Sequence, residues 1–422
     1  MAISTLDELS RTVHDVVARQ PLTDMHTHLY SPHMRGPQGG LLLWGVDALL
    51  TYHYLVAEVM RWADVSPAAF YAWPLAQQAD YIWQTLFIEH SPLSEAQRGV
   101  LTSLQALGLG LPVSARALSA CRAALGAQTA ETQVQRVLAL ANIEHVVMTN
   151  DPFDEAERPF WLAGGRIPPN FHAALRIDPL LRGWSEAQAR LQGWGYNVDA
   201  NLGGESVGEV QRFLGEWVAR MQPLYMAVSL PPDFTYPDGS VASRVLSECI
   251  LPVCRTANIP FAMMIGSERQ VNPALGLAGD ALGRAVLAYV ARLAREFPAN
   301  KFFVTVLSRE NQHELIVLAR KFGNLMPFGC WWFMNNPVII EDITRMRLEM
   351  LGTSFIPQHS DARVLEQVIY KWSHFRTILS RVLTDKYADV MATGWRFERA
   401  EIERDVADLL HENFWRFVGK RV

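Results

Sequence analysis

Two imidazoles one residue apart are the first candidates for chemistry. In Thr23-Asp24-Met25-His26-Thr27-His28 the spacing sends both rings to one side of an extended strand. Two imidazoles converging at a strand end can hold a divalent metal. An HxH alone is a weak signal in a chain with 12 histidines. This one gains weight because it ends the first apolar run and precedes a long insertion. Asp361, in Gln358-His359-Ser360-Asp361-Ala362-Arg363 directly after the last apolar run, is the expected third ligand. It also suits an N-cap for a helix starting near Arg363. Arg176 ends a run, and Arg269, Arg309 and Arg363 each follow one. Forked guanidinium N–H groups clamp carboxylates, so several on one face point to a small anionic substrate, with surface ion pairs as the alternative. Tyr52-His53-Tyr54 opens an aromatic helical stretch, and His53 and Tyr54 matter to the chemistry if that stretch caps the site. Of Trp331 and Trp332, one could wall a sugar pocket while the other packs outward.

These residues need a frame that brings chain positions 26 and 361 together. Short β-rich apolar runs alternate with helical patterns, the mark of parallel βαβ units. Strands are expected at 22–28, 143–149, 172–177, 225–229, 261–265, 302–307, 326–331 and 354–358. Helices are expected at 281–296, 310–322, 339–351 and 363–382. The fold class is therefore α/β: a (β/α)8 TIM-type barrel in which strands one and eight are neighbours, an open doubly wound sheet being the alternative. Between the first two strands lie helical patterns at 47–62, 67–88, 94–106, 114–125 and 132–140, too much for a connection. The expected organisation is a barrel from 1–29 and 141–422, with a helical insertion at 30–140 capping the active-site face. The RGPQGG segment at 35–40 reads as a turn-rich loop.

Composition removes several function classes. The chain has 422 residues, half of them hydrophobic, and a net charge of −5 without a basic run, which argues against nucleic acid. Its four cysteines form no CxxC pair and read as buried thiols in a reducing compartment. The first twenty residues lack the apolar core of a signal peptide, and no stretch has the ~18 uninterrupted apolar residues of a membrane span. The expectation is a cytoplasmic homo-oligomer without membrane contact.

DMHTHL at 24–29, HY at 53–54, Arg176, GCWWFMNNP at 329–337, and SDAR followed by Tyr370, His374, Phe375 and Arg376 together resemble the uronate isomerases, a branch of the amidohydrolase superfamily. The resemblance covers nearly the whole chain. It implies interconversion of an aldo-hexuronate and a keto-hexuronate, glucuronate with fructuronate or galacturonate with tagaturonate. It implies one divalent metal, zinc or else manganese, on His26, His28 and Asp361. His53, Tyr54, Arg176, Trp331 and Arg363 would line the substrate site. Ordinary amidohydrolases add a lysine on strand four and histidines on strands five and six; LYMAVSL, FAMMIGSER and FFVTVLSRE supply none. The chain departs from the isomerase pattern at Met264, where the family has a histidine before Ile-Gly. In the expected chemistry Asp361 takes a hydroxyl proton and Tyr54 moves a proton between carbons. Arg363 favours the Tyr54 phenolate, and Arg176 holds the substrate carboxylate. A single-metal hydrolase or decarboxylase on another small acid, and a non-enzymatic binding protein of the same fold, are the alternatives.

Overall fold

The computed structural model describes residues 2–37, 39–110 and 116–422. Seven parallel strands lie side by side in chain order: β1 (Leu22–Thr27), β2 (Ile143–Asn150), β3 (Phe171–Arg176), β4 (Met226–Leu230), β5 (Phe261–Ile265), β6 (Phe302–Val306) and β7 (Leu325–Pro327). All but the exposed start of β2 and the ends of β3 are largely buried, as expected of parallel strands covered on both faces. Alternation divides each strand between two hydrophobic clusters. Val146, Met148, Met226, Val228, Met263 and Val304 pack with the helices. Met25, Val147, Ala174, Ala227, Ala262 and Phe303 fill the interior, where Phe414 and Phe417 of the C-terminal helix join them. That helix plugs the end where the strands begin: Trp415 donates to Thr23 Oγ1 at 2.9 Å, and the Lys301 ammonium donates to Val418 O at 2.5 Å.

The eighth position in the ring is a correction to the expected strand at 354–358. It forms a single parallel bridge, Phe328 with Ile356. Pro357 has no N–H to give a ladder, and Asp361 takes a left-handed φ of 50° that ends extended backbone. The ring still closes. Ile356 N reaches Pro327 O at 3.2 Å and Gly329 N reaches Ile356 O at 2.8 Å, while on the other flank Asp361 N reaches His26 O at 3.1 Å and His28 N reaches Ala362 O at 2.8 Å. These four bonds set the HxH beside Asp361. The barrel is thus a TIM-type barrel with seven laddered strands and one irregular stave.

The segment between β1 and β2 is helical, with breaks that the sequence reading ran through. The expected helix at 47–62 is two, Val46–Leu50 and α1 (His53–Val59), parted at Tyr52, whose φ of −63° and ψ of 142° are extended. That break turns Tyr52 and His53 toward the barrel mouth. The stretch at 67–88 divides into Pro67–Tyr71, Leu75–Trp83 and a π-helical turn at Gln84–Glu89, Pro74 being unable to continue the first piece. The helix expected from 114 is seen as Leu118–Gly126; its first two positions lie outside the described residues. These helices share one apolar cluster with the barrel's outer layer. At 35–40 a short hairpin pairs Arg35–Gly36 with Gly39–Gly40, position 38 lying outside the described residues. A second hairpin, Ser267–Glu268 with Ala281–Leu282, replaces the start of the helix expected at 281–296, which begins at Ala288. The last long helix, α2 (Gln367–Met391), starts four residues later than expected and runs longer, so Asp361 is not its cap. No helix among the described residues is long and apolar enough to cross a membrane, and all four cysteines are buried and free.

Candidate metal centre and active site

His26 is the last residue but one of a buried strand and His28 follows that strand, and both rings reach the same point as the Asp361 carboxylate. His28 Nε2 lies 3.3 Å and His26 Nε2 3.7 Å from Asp361 Oδ1. Among the described residues these three form the one group of potential ligands whose donor atoms all lie within 4.8 Å of one another.

Hydrogen bonds behind the rings fix which nitrogen carries the proton. Tyr225 Oη donates to Met25 O at 2.7 Å, so its lone pair is left to accept from His26 Nδ1–H, 3.0 Å away. Thr149 Oγ1 donates to Thr27 O at 3.0 Å and accepts from His28 Nδ1–H at 2.9 Å. Each imidazole thereby shows a bare Nε2 lone pair to the centre, the form a metal ligand needs. Burial favours neutral rings: it is the main force holding the pKa of His26 well below, and that of His28 below, the ordinary histidine value. Burial pushes the Asp361 pKa up, but the facing His28, His26 and His359 rings outweigh it and hold the carboxyl below its ordinary range. His26 Nε2 and Asp361 Oδ1 have no hydrogen-bond partner although buried, where such atoms are normally paired. Two neutral imidazoles, one carboxylate and orphaned, convergent lone pairs fit a divalent cation.

The cavity in front of these donors collects most of the residues expected there. His53, Arg176, Trp331 and Arg363 line it, together with Met264. Arg176 is committed: its guanidinium forks onto Asp178 at 2.8 and 3.0 Å and donates to Ser229 Oγ at 3.1 Å. Arg269, also on the wall, pairs with Asp280 at 2.5 Å. The only bond of Arg363 to a side chain runs from its backbone N–H to Gln367, so its guanidinium is the free cation of the wall among the described residues. Arg309 corrects the expectation of four site arginines, for it pairs with Asp342 at 2.9 Å on the surface.

Tyr54 stands differently from the expectation. It packs behind His53, ring centroids 4.5 Å apart, and is not part of the cavity lining, whereas Tyr52 is. Burial, with the neighbouring Tyr52, drives its phenol well above the ordinary tyrosine value, so no phenolate is favoured at rest. Its hydroxyl and His53 Nε2 are both buried without partners.

Trp332 lines the cavity beside Trp331, in a left-handed conformation, φ 45°, where one of the two was expected to pack outward. Other residues of the site escaped the sequence reading. His359 is fully buried with its ring 5.3 Å from that of His26, and burial takes its pKa down to about 3. Its space depends on Gly329: a Cβ there would lie 1.7 Å from His359 Nδ1. Position 359 lies two before Asp361, the same alternation that singled out His26 and His28, so a signal was there. Tyr225 and Thr149 gave none, since their roles depend on which strands become neighbours.

The fold and donor set define the class: an α/β barrel with three convergent candidate metal ligands at the mouth where β1 meets the irregular stave. No protein-family model matches the chain, and no curated protein does. Solved structures do match. A uronate isomerase from Bacillus halodurans C-125 is 58% identical, covers 99% of this chain and 98% of its own, and has a TM-score of 0.96. At the level of fold, a uronate isomerase from Thermotoga maritima (16% identity, TM-score 0.76, covering 98% and 99%) and a glucuronate isomerase from Caulobacter crescentus (15%, TM-score 0.78, covering 99% and 95%) are also similar. The chain belongs to the uronate isomerase family.

Proposed function

We propose that the protein interconverts an aldo-hexuronate and a keto-hexuronate, glucuronate with fructuronate or galacturonate with tagaturonate. The observation that carries this reading is 58% identity to a uronate isomerase over nearly the whole chain, joined to the convergent His26, His28 and Asp361 donors. A divalent ion held there, zinc by its preference for three nitrogen and oxygen ligands with an open position and manganese as the alternative, would bind substrate oxygens and stabilise negative charge. The protein's own groups do the rest. Asp361 accepts a hydroxyl proton as the sugar ring opens. The neutral His53 imidazole on the cavity wall takes the proton from one carbon and returns it to the next, and the Tyr54 hydroxyl behind that ring assists the transfer. Arg363 supplies the free guanidinium for the substrate carboxylate, and Arg176, braced on Asp178, adds positive potential. Trp331 and Trp332 exclude water from the sugar face. Met264 leaves an apolar wall where the family pattern has a histidine, so β5 brings no acid or base. The test is a panel of hexuronates with metal-loaded protein. Formation of the keto-hexuronate from at least one supports the reading; hydrolysis of a lactone or amide with no isomerisation refutes it.

A further inference from the structure

Asp361 carries the carboxylate of the centre in a conformation an L-residue rarely adopts, φ 50°. Such a conformation persists only where the surroundings hold it. The peptide units around Ser360, immediately before it, are held from two sides. Ser360 N–H donates to Asp24 Oδ1 at 2.9 Å, and Ser360 O accepts from the Lys371 ammonium at 2.6 Å. Asp24 is itself fixed by Trp372 Nε1–H at 2.8 Å, so a side chain of β1 and one of α2 meet on these backbone groups, and the next residue of α2 braces the first. Lys371 is 2% exposed and Asp24 fully buried. Charges so deeply buried are costly to keep, and neither is needed to satisfy a surface. The same ammonium lies 5.6 Å above the ring of Tyr54, a cation–π approach.

We propose that Lys371 and Asp24 are positioning residues: together they clasp the Ser360 backbone so that Asp361 meets His26 and His28 in ligand geometry, and Lys371 also seats the Tyr54 ring. The clasp acts through Asp361 and contributes no ligand of its own. It rests on the reading of His26, His28 and Asp361 as a metal centre. Partners that orient a ligand typically change metal affinity tenfold to a hundredfold when removed. A merely structural clasp would lower the melting temperature of the metal-free protein and leave affinity in the folded protein untouched.

The experiment is chelator competition with zinc on native protein, Lys371→Met, Asp24→Ala and the double variant, with melting of each metal-free protein alongside. Each single variant should bind zinc roughly ten to a hundred times more weakly. The double variant should lose less than the product of the two, because both side chains hold one segment. If Lys371→Met does not fold, Asp24→Ala decides alone. Native-like affinity in any folded single variant overturns the clasp while leaving the metal centre standing; a native protein that binds no zinc or manganese overturns the centre, and the clasp with it.

Discussion

Replacing Tyr225 by phenylalanine removes one oxygen atom that never faces substrate, yet it should cost the protein much of its metal. The hydroxyl is bonded on both sides, accepting from His26 Nδ1–H at 3.0 Å and donating to Met25 O at 2.7 Å, in a place with no solvent access to either ring. Without it both partners stand unsatisfied, at about 1–3 kcal/mol for each buried group. The metal-free protein can escape part of that penalty, since the His26 proton can move to Nε2 and turn toward Asp361 Oδ1, 3.7 Å away. The metal-bound protein cannot, because Nε2 is then the ligand. The difference falls on affinity: a loss of ~10-fold to 100-fold, or about 1.4–2.7 kcal/mol. The assay is chelator competition near neutral pH, with the melting point of the metal-free variant as the control for folding. A Tyr225→Phe protein that folds and binds metal within about twofold of native would refute the argument that this bond sets the His26 tautomer.

Further outcomes follow from the same geometry. Tyr54→Phe keeps the packing against His53 and removes the hydroxyl, so turnover should fall by roughly 10²–10⁴ with metal content retained; unchanged turnover in steady-state kinetics removes Tyr54 from the chemistry. Arg363→Lys should raise KM more than it lowers kcat, because the free fork becomes a point charge. Arg176→Lys should instead lower the melting temperature, because Asp178 loses its paired bonds; equal KM effects in the two variants would contradict this division. At the barrel floor His172 bonds His145 at 3.1 Å, and burial first, then His145, takes its pKa from 6.5 to about 4. Its folded pKa lies below its unfolded one, so the unfolded chain binds the extra proton between those values and stability falls as pH drops through that window. His172→Phe should flatten this limb, read as urea midpoints at about pH 7 and about pH 5; an unchanged difference between the two would count against it.

The parts of this fold that were legible in sequence are those that local pattern encodes. Apolar runs marked the barrel strands, and HxH with a late Asp marked three groups that converge, because barrel closure makes the first and last staves neighbours. What escaped depended on single breaks or on tertiary neighbours. Pro357 and the left-handed Asp361 turned an expected strand into one bridge. The extended Tyr52 split a helix that periodicity read as continuous, and so it is Tyr52 and His53, rather than Tyr54, that reach the cavity wall. The four strand-end arginines were equivalent in sequence. Only their acid partners, Asp178, Asp280 and Asp342, distinguish them and leave Arg363 free. Tyr225 and Thr149, which set the histidine tautomers, lie some two hundred and one hundred and twenty residues from their partners, beyond any local pattern.

The most direct test of the central claim is hydrogen exchange at C2 of glucuronate and galacturonate in D₂O, followed by proton NMR with metal-loaded native protein and with the His26→Ala/His28→Ala variant. The account expects deuterium at C2 together with keto-hexuronate in the native reaction, and neither in the variant, which should also hold no stoichiometric metal. Isomerisation that survives in the metal-free double variant, or the absence of both deuterium and keto-hexuronate with every hexuronate in the native protein, would contradict a metal-centred uronate isomerisation at this site.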